Sequence, residues 1–191
     1  FNLTNRKNKK KKFVISYFGR INKDKGIHIL IKSLKKIKTS KWKLLLDIDY
    51  IDDKIYFKKI LKDLKKNFKK KQFSCIKADH YKISEYMKKS DLVILPSMYE
   101  EQYGRVIQEA VACGNIVIGS KIGGIPEIIK DKELLFNPGN DNKLTYKIKR
   151  LMNKKKFNTK FKEIHTRILN ERTIFKQIFV FKKYLDKELW K

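Results

Sequence analysis

Short apolar runs recur along the chain, separated by longer segments in which apolar residues follow helical spacing. The runs lie at residues 13–18, 42–48, 73–76, 91–95, 116–119 and 134–136. Strands that are apolar at nearly every position are typical of parallel sheets, because helices cover both faces of such sheets. The pattern therefore predicts an α/β fold, with a parallel sheet of about six strands flanked by helices.

The segments between the runs predict the helices. A helix after the first run carries one apolar face: Ile27, Leu30, Ile31, Leu34 and Ile37. A lysine-rich helix is predicted over residues 54–71, with a second set of residues facing inward: Ile55, Ile60, Leu61, Leu64 and Phe68. Further helices are predicted from residue 104, over 143–152 and over 154–170.

The stretch over residues 90–127 combines two predicted strands with candidate chemistry. Its first strand ends in a turn at the sheet edge where open α/β folds bind ligands. Glu101 lies in this turn, and Glu109 lies on the helix that opens near Gly104, with seven residues between the two acids. Backbone N–H groups at a helix start favour an anion such as phosphate, and Glu109 is placed to accept hydrogen bonds from hydroxyl groups. This stretch predicts a site for a phosphate and a polyol together.

The charge of the chain leaves three interpretations open. The net charge is +28 and the pI is near 10, and almost all of the excess is lysine. Lysine-rich solvated helix faces, an anionic membrane surface and nucleic acid are each compatible with this balance. Proteins that read nucleic acid rely on arginine, and no RNP, zinc-finger or helix-turn-helix pattern is present, so a nucleic-acid partner is not expected.

The cysteines and the absence of long apolar runs bear on the compartment. No run approaches the roughly 18 to 20 residues that cross a bilayer, and no apolar signal-peptide core is present, which predicts a soluble domain. Cys75 and Cys113 lack metal-ligand spacing and are predicted to be buried thiols in a reducing environment. We therefore expect a cytoplasmic protein, with peripheral association at the inner face of the membrane left open.

The central stretch resembles a known family. The segment PSMYEEQYGRVIQEAVACG, followed by GSKIGGIPEII, is similar to the donor-binding signature of retaining glycosyltransferases of the GT-B fold, family 4 type (group 1). The resemblance extends over nearly the whole chain, but it covers only the C-terminal, nucleotide-sugar-binding half of such an enzyme. It implies a Rossmann-like, three-layer domain that binds a UDP-sugar or GDP-sugar without a metal ion or other cofactor. It also implies a hexosyltransferase-type activity in polysaccharide biosynthesis, directed at a glycan or lipid-linked acceptor.

The resemblance implies roles for individual residues. Arg20 and Lys25 match the cations that neutralise the donor diphosphate, and Glu109 matches the acid that holds the ribose hydroxyls. Glu101 matches the acid that holds the transferred sugar, so the implied catalytic set is Glu101, Arg20 and Lys25. The remaining implied donor contacts come from the turn and the helix start: Gln102, Tyr103, Gly104, Arg105 and Val106.

The chain departs from the family pattern in three loops. Asp47 and Asp49 replace a Gly-x-Gly-like turn after the second strand, so either these carboxylates point away from a diphosphate or the loop differs. A two-aspartate metal site is an alternative, although no third ligand lies nearby in the sequence. In the loop after the third strand, residues 77–79 lack the glycine that is usual in the family. His80 and Tyr81 follow in the same loop and could contact the nucleotide base. Gln102 replaces the first glycine of a Gly-Phe-Gly-type turn.

Three segments are predicted. Residues 1–12 are expected to be a basic linker from a missing N-terminal acceptor domain, and residues 13–170 the nucleotide-sugar-binding domain. Residues 171–191 are expected to form an aromatic helix that packs on the domain and reaches toward the missing one. On this interpretation the fragment alone is inactive. The competing hypothesis is a basic module that binds nucleic acid or anionic membranes without catalysis.

Overall fold

The structure is a computed structural model that describes residues 12–79, 82–101 and 104–171. The predicted linker and C-terminal aromatic helix lie outside these ranges, apart from residues 12 and 171, and so do His80, Tyr81, Gln102 and Tyr103. The described residues divide into two compact units, one within residues 1–153 and the other within residues 154–191.

In the described part of the first unit, six strands alternate with six helices. The strands are β1 (Phe13–Tyr17), β2 (Trp42–Asp47), β3 (Phe73–Ile76), β4 (Leu92–Leu95), β5 (Ile116–Ser120) and β6 (Leu135–Phe136). The helices are α1 (Ile27–Lys35), α2 (Lys54–Asn67), α3 (Ile83–Lys88), α4 (Arg105–Ala112), α5 (Ile125–Ile129) and α6 (Asp141–Leu151). Single 3₁₀ turns cover Lys70–Gln72 and Lys132–Leu134.

The six strands form one parallel sheet in the order β3-β2-β1-β4-β5-β6. Ile15 of β1 pairs with Leu44 of β2 on one side and with Leu92 of β4 on the other. The chain therefore builds outward from β1 in one direction and from β4 in the other, and the switch point lies between these two strands. The predicted Rossmann-like α/β fold with about six parallel strands is confirmed.

Burial explains why these segments form strands and helices. The first three residues of β4, Leu92, Val93 and Ile94, are each 0% exposed, as expected for a strand covered on both faces. All five residues predicted to form the apolar face of α1 are at most 5% exposed. Two polar contacts fasten β1 to the start of β4: Ser16 Oγ lies 2.6 Å from Ser90 Oγ, and the Val14 N–H donates to Asp91 Oδ2 at 2.8 Å.

Two details of the predicted lysine-rich helix were wrong. Ile55 is 70% exposed, because it lies five residues before buried Ile60 and thus roughly 140° away on the helix surface. The helix also ends at Asn67, short of residue 71, because Phe68 adopts an extended conformation. In that conformation the Phe68 ring packs edge-on against Trp42, with the ring centroids 5.3 Å apart.

Other differences concern short elements and the thiols. Helix α3 was not predicted, and neither was α5, which directly follows the glycines at positions 123 and 124. The thiols of Cys75 and Cys113 are only half-buried, which corrects the prediction that they are buried. Cys75 lies on β3, the edge strand, and Cys113 follows the last residue of α4, so neither position is covered on all sides.

The described part of the second unit is helix α7 (Lys154–Glu171), which matches the helical segment predicted over residues 154–170. The rings of Phe157 and Phe161 stack with their centroids 6.0 Å apart. Lys160 forms an ion pair with Glu163, one helical turn further on, at 2.7 Å.

Candidate functional site

The candidate residues gather where β1 and β4 end, at the switch point of the sheet. The loop after β1 leads into α1, and the loop after β4 leads into α4. The two loops are tightly joined, because the Met98 N–H donates to the Asp24 carbonyl at 2.7 Å. Gly26, with φ of 67°, lies so close that a Cβ atom on it would stand 1.9 Å from the Pro96 carbonyl oxygen. The residues of both loops therefore form a single local structure.

Lys25 and Glu101 meet at this junction. Lys25 Nζ lies 2.5 Å from Glu101 Oε1, and the two side chains are 19% and 17% exposed. The buried hydroxyl of Ser97 donates to the same Oε1 at 2.8 Å. The loop before Lys25 is ordered in turn by Asn22, whose Oδ1 accepts the Lys25 N–H at 3.0 Å. The structure thus places a cation and an acid, both predicted site residues, in direct contact.

Arg20 lies on the same loop but makes a different contact. Its guanidinium pairs with Asp52 at 3.4 Å and is 61% exposed. Its carbonyl accepts a hydrogen bond from the Tyr17 hydroxyl at 2.7 Å. Burial, followed by the charge of Glu101, raises the pKa of Tyr17 well above its ordinary value, so Tyr17 remains a donor to this carbonyl. The backbone of Arg20 is fixed, whereas its side chain remains largely in solvent.

Helix α4 supplies the predicted anion-binding N–H groups. It begins at Arg105 after Gly104, which has a φ of 44°, and no side chain among the described residues caps this end. The first N–H groups of the helix, those of Arg105 and Val106, therefore keep their capacity to donate to a ligand. Glu109 lies one turn further on, and its side chain is exposed.

The two glycines before α5, Gly123 and Gly124, lie against the backbone of Glu101. The Gly124 N–H donates to the Glu101 carbonyl at 2.8 Å. Gly123 has a φ of 53°, and a Cβ atom on it would stand 2.7 Å from both the backbone N and the backbone O of Glu101. Of this pair only Gly123 has a positive φ, and the close approach that it permits is to the Glu101 backbone.

Asp47 is turned into the protein and away from solvent. It is 4% exposed, and its Oδ1 accepts the N–H groups of Asp49 and Ala78, each at 3.1 Å. Burial raises the pKa of its carboxyl above the ordinary value, and the backbone donors partly oppose this effect. Of the two alternatives left open for this departure, Asp47 follows the one in which the carboxylate points away. Its role is to join the loops that follow β2 and β3.

Sequence reasoning missed two contributors to this edge of the sheet, Ser97 and Asp52. Ser97 follows the proline that ends β4 and lies four residues before Glu101, but a serine in a turn carries no signal of its own. Asp52 precedes α2, and only the structure shows that it accepts from both Arg20 and Asn22. Predicted residues Gln102 and Tyr103 lie outside the described part of the chain.

The described residues contain neither a cluster of metal ligands nor a membrane-spanning helix. Residues 12–79, 82–101 and 104–171 contain no group of three or more His, Cys, Asp or Glu side chains arranged to hold a metal ion. Within the same ranges, no helix combines the length and the apolar character needed to cross a membrane.

Comparison with known proteins identifies the family. The family model described as "Glycosyl transferases group 1" matches residues 2–167. The chain belongs to this family. The predicted resemblance to group 1 glycosyltransferases with the GT-B fold is thereby confirmed.

Curated relatives of this group 1 chain are much longer than the chain itself. It is 38% identical over 128 residues to a lipopolysaccharide 1,2-N-acetylglucosaminetransferase of Salmonella typhimurium, an alignment that covers 62% of this chain and 32% of that protein. It is 29% identical over 141 residues to an uncharacterized glycosyltransferase of Methanocaldococcus jannaschii, covering 73% and 35%. The chain therefore spans about a third of the length of these relatives.

Solved structures show the same fold. The C-terminal domain of a glycosyl transferase group 1 family protein from Francisella tularensis is 27% identical, with a TM-score of 0.74, and the match covers 85% of this chain and 87% of that one. The Anabaena protein HepE, in a crystal structure with UDP-glucose, is 27% identical with a TM-score of 0.69, covering 78% and 40%.

Proposed function

We propose that this group 1 chain is the donor-binding domain of a retaining, metal-independent glycosyltransferase that uses a nucleotide-diphosphate sugar. The contact between Lys25 and Glu101 at the switch point carries this proposal. In this contact a cation suited to a diphosphate lies next to an acid suited to sugar hydroxyls, beside a helix start that no described side chain caps. The similarity to HepE, which was crystallised with UDP-glucose, supports a UDP-sugar as the donor.

The proposed roles follow from these positions. The diphosphate lies between Lys25, Arg20 and the first N–H groups of α4, and Arg20 exchanges its exposed contact with Asp52 for the phosphate. Glu109 accepts hydrogen bonds from the ribose hydroxyls, and Glu101 from the transferred sugar. As the glycosidic bond breaks, the cations and the helix N–H groups stabilise the charge that develops on the leaving diphosphate. Retention follows if the acceptor attacks from the face that the diphosphate leaves.

We further propose that the acceptor binds to a second domain and that the present chain binds the donor without turnover. That the acceptor is linked to a membrane lipid is supported by one surface of the donor-binding domain, which we call the lysine face. It consists of six exposed lysines of α2 that lie within an arc of roughly 140°: Lys54, Lys58, Lys59, Lys62, Lys65 and Lys66. None of the six forms an ion pair in the described part of the chain, and exposed Ile55 lies among them. An anionic membrane surface is the partner that this face fits.

Titration calorimetry with UDP-glucose, UDP and GDP tests donor binding. We expect Glu109→Ala to weaken UDP-glucose binding by about 10- to 100-fold, because hydrogen bonds to a charged acceptor are lost. The matched control is Glu133→Ala, which removes an exposed acid next to the amino end of β6, at the opposite edge of the sheet, and should leave binding unchanged. Failure of the wild-type chain to bind any of the three ligands, or equal binding by Glu109→Ala, contradicts the proposal.

A further inference from the structure

The contact between Lys25 and Glu101 differs from the other ion pairs of the molecule. Among the ion pairs that join two described residues, it is the one in which both side chains are less than one fifth exposed. The neighbouring pair of Arg20 and Asp52 is longer, at 3.4 Å, and its side chains are 61% and 37% exposed. Because water screens a partly buried pair less than an exposed one, the charge of Glu101 acts strongly on Lys25.

The two oxygens of the Glu101 carboxylate have different surroundings. Oε1 accepts from both Lys25 Nζ, at 2.5 Å, and Ser97 Oγ, at 2.8 Å. Oε2 has no hydrogen-bond partner among the described residues. Ser97 is 2% exposed, and the backbone of Glu101 is fixed by Gly124, so the carboxylate cannot turn away from Lys25 without losing these bonds. The acid is therefore held against the cation that the diphosphate needs.

We infer that Glu101 makes the site discriminate between a sugar-bearing nucleotide and a bare nucleoside diphosphate. This inference rests on the proposed donor-binding function. A bare diphosphate must compete with Glu101 for Lys25, and its own negative charge approaches the carboxylate. A nucleotide sugar meets the same carboxylate with hydroxyl donors, which reach Oε2 and compensate the charge. The substrate is favoured, and the nucleoside diphosphate that remains after transfer is released.

Ser97 is a positioning residue in this arrangement. Its hydroxyl holds Oε1 toward Lys25 and so leaves Oε2 for the sugar hydroxyls. We expect Ser97→Ala to weaken UDP-glucose binding about three- to tenfold with a smaller effect on UDP, because it frees the carboxylate to rotate while the ion-pair partner remains. A loss of general fold stability would weaken the binding of both ligands alike. The ratio of the affinities for UDP-glucose and UDP therefore separates a positioning role of Ser97 from a merely structural one.

The decisive experiment measures UDP, inorganic pyrophosphate and UDP-glucose binding to the wild-type chain and to Glu101→Gln. Glutamine keeps the size of the side chain and can still accept the Ser97 hydroxyl, but it removes the charge. We expect UDP and pyrophosphate to bind roughly three- to tenfold more tightly to the variant, and UDP-glucose to gain nothing. The pyrophosphate arm is independent of the nucleotide base.

The matched control is Asp63→Asn. It changes the net charge by the same amount and breaks a Lys35–Asp63 ion pair of the same 2.5 Å length, outside the candidate site. It should alter UDP and pyrophosphate affinity by less than twofold. In the Glu101→Gln background, Lys25→Gln should abolish the gain in affinity, because the gain arises when Lys25 no longer pairs with the Glu101 carboxylate and is available to the diphosphate. Near-ultraviolet circular dichroism confirms that each variant is folded.

The outcomes separate the inference from the proposed function. If the wild-type chain binds UDP-glucose but Glu101→Gln gains no affinity for UDP or pyrophosphate, the discrimination is overturned and donor binding stands. If Asp63→Asn gains as much affinity for UDP and pyrophosphate, the inference is also overturned, because the change in net charge alone then explains the gain. If the wild-type chain binds none of the three ligands, the donor-binding proposal and the inference both fall.

Discussion

Substitution of Gly123 by alanine tests how the backbone of Glu101 is held. Gly123 has a φ of 53°, and an added Cβ would stand 2.7 Å from both Glu101 N and Glu101 O. These are backbone atoms that cannot rotate away, so either residue must move by several tenths of an ångström. The 2.8 Å hydrogen bond from the Gly124 N–H to the Glu101 carbonyl is weakened by the same movement.

The loss of stability expected for Gly123→Ala has two contributions. Any L-residue at a left-handed position costs about 1–2 kcal/mol. Overpacking against fixed atoms costs about 1–3 kcal/mol more. We therefore expect Gly123→Ala to lower the free energy of unfolding by about 2–5 kcal/mol. The variant should also weaken UDP-glucose binding, because Glu101 is displaced.

Gly139→Ala is the matched control. Gly139 has a φ of 76°, so it shares the conformational cost, but its added Cβ would meet only the flexible end of Met98, at 3.4 Å. Urea denaturation and calorimetry with UDP-glucose should therefore show a loss of about 1–2 kcal/mol in the free energy of unfolding and little change in affinity. Equal losses of stability and affinity in the two variants would refute the role assigned to the contact between Gly123 and Glu101.

Two further predictions concern other parts of the domain. Asp47→Asn should be neutral or stabilising at pH 7, since its Oδ1 keeps both backbone donors and the buried charge is removed, whereas Asp47→Ala should cost about 1–3 kcal/mol for each unsatisfied N–H. Because burial raises the pKa of Asp47 in the folded state, the contribution of Asp47 to the free energy of unfolding should fall as pH rises from the ordinary carboxyl pKa through the raised one. In urea denaturation this fall is the difference between the wild-type chain and Asp47→Asn, and an asparagine variant with the same pH profile as the wild-type chain would contradict it. For the lysine face, we expect Lys58→Glu with Lys62→Glu to reduce sedimentation with phosphatidylglycerol-containing vesicles by about tenfold or more. The charge-matched pair Lys38→Glu with Lys41→Glu should have a much smaller effect, and an equal loss in both variants would exclude the lysine face as the contact.

Much of the fold could be predicted from the sequence, because the burial of strands and helix faces produces recognisable patterns of apolar residues in the chain. Strands such as β4 are apolar at every position, and the inward face of α1 repeats with helical spacing, so both were predicted to within a residue or two. The short helices α3 and α5 produce no such pattern, since five or six residues cannot establish a period. The exposure of Ile55 shows the same limit, because one apolar residue in the first turn does not define a face.

The candidate site was predictable in its location but not in its internal contacts. The position of Glu101 in the turn after a parallel strand and the glycine before α4 indicated the edge of the sheet at which a ligand would bind. The contact between Lys25 and Glu101 joins residues 76 positions apart, and it depends on β1 and β4 being neighbours in the sheet. The orientation of Asp47 depends on donors from two separate loops. Such contacts follow from tertiary packing, and local sequence carries no signal of them.

The close approach of Gly26 to Pro96 has a consequence for engineering this domain. With a would-be Cβ only 1.9 Å from the carbonyl and a hydrogen bond beside it, the loops after β1 and β4 cannot vary in shape independently. A chimera that imports the loop after β4 from a relative should fold only when the loop after β1 is transplanted with it. The two loops are therefore expected to change together, although they lie far apart in the chain and meet only in the folded protein.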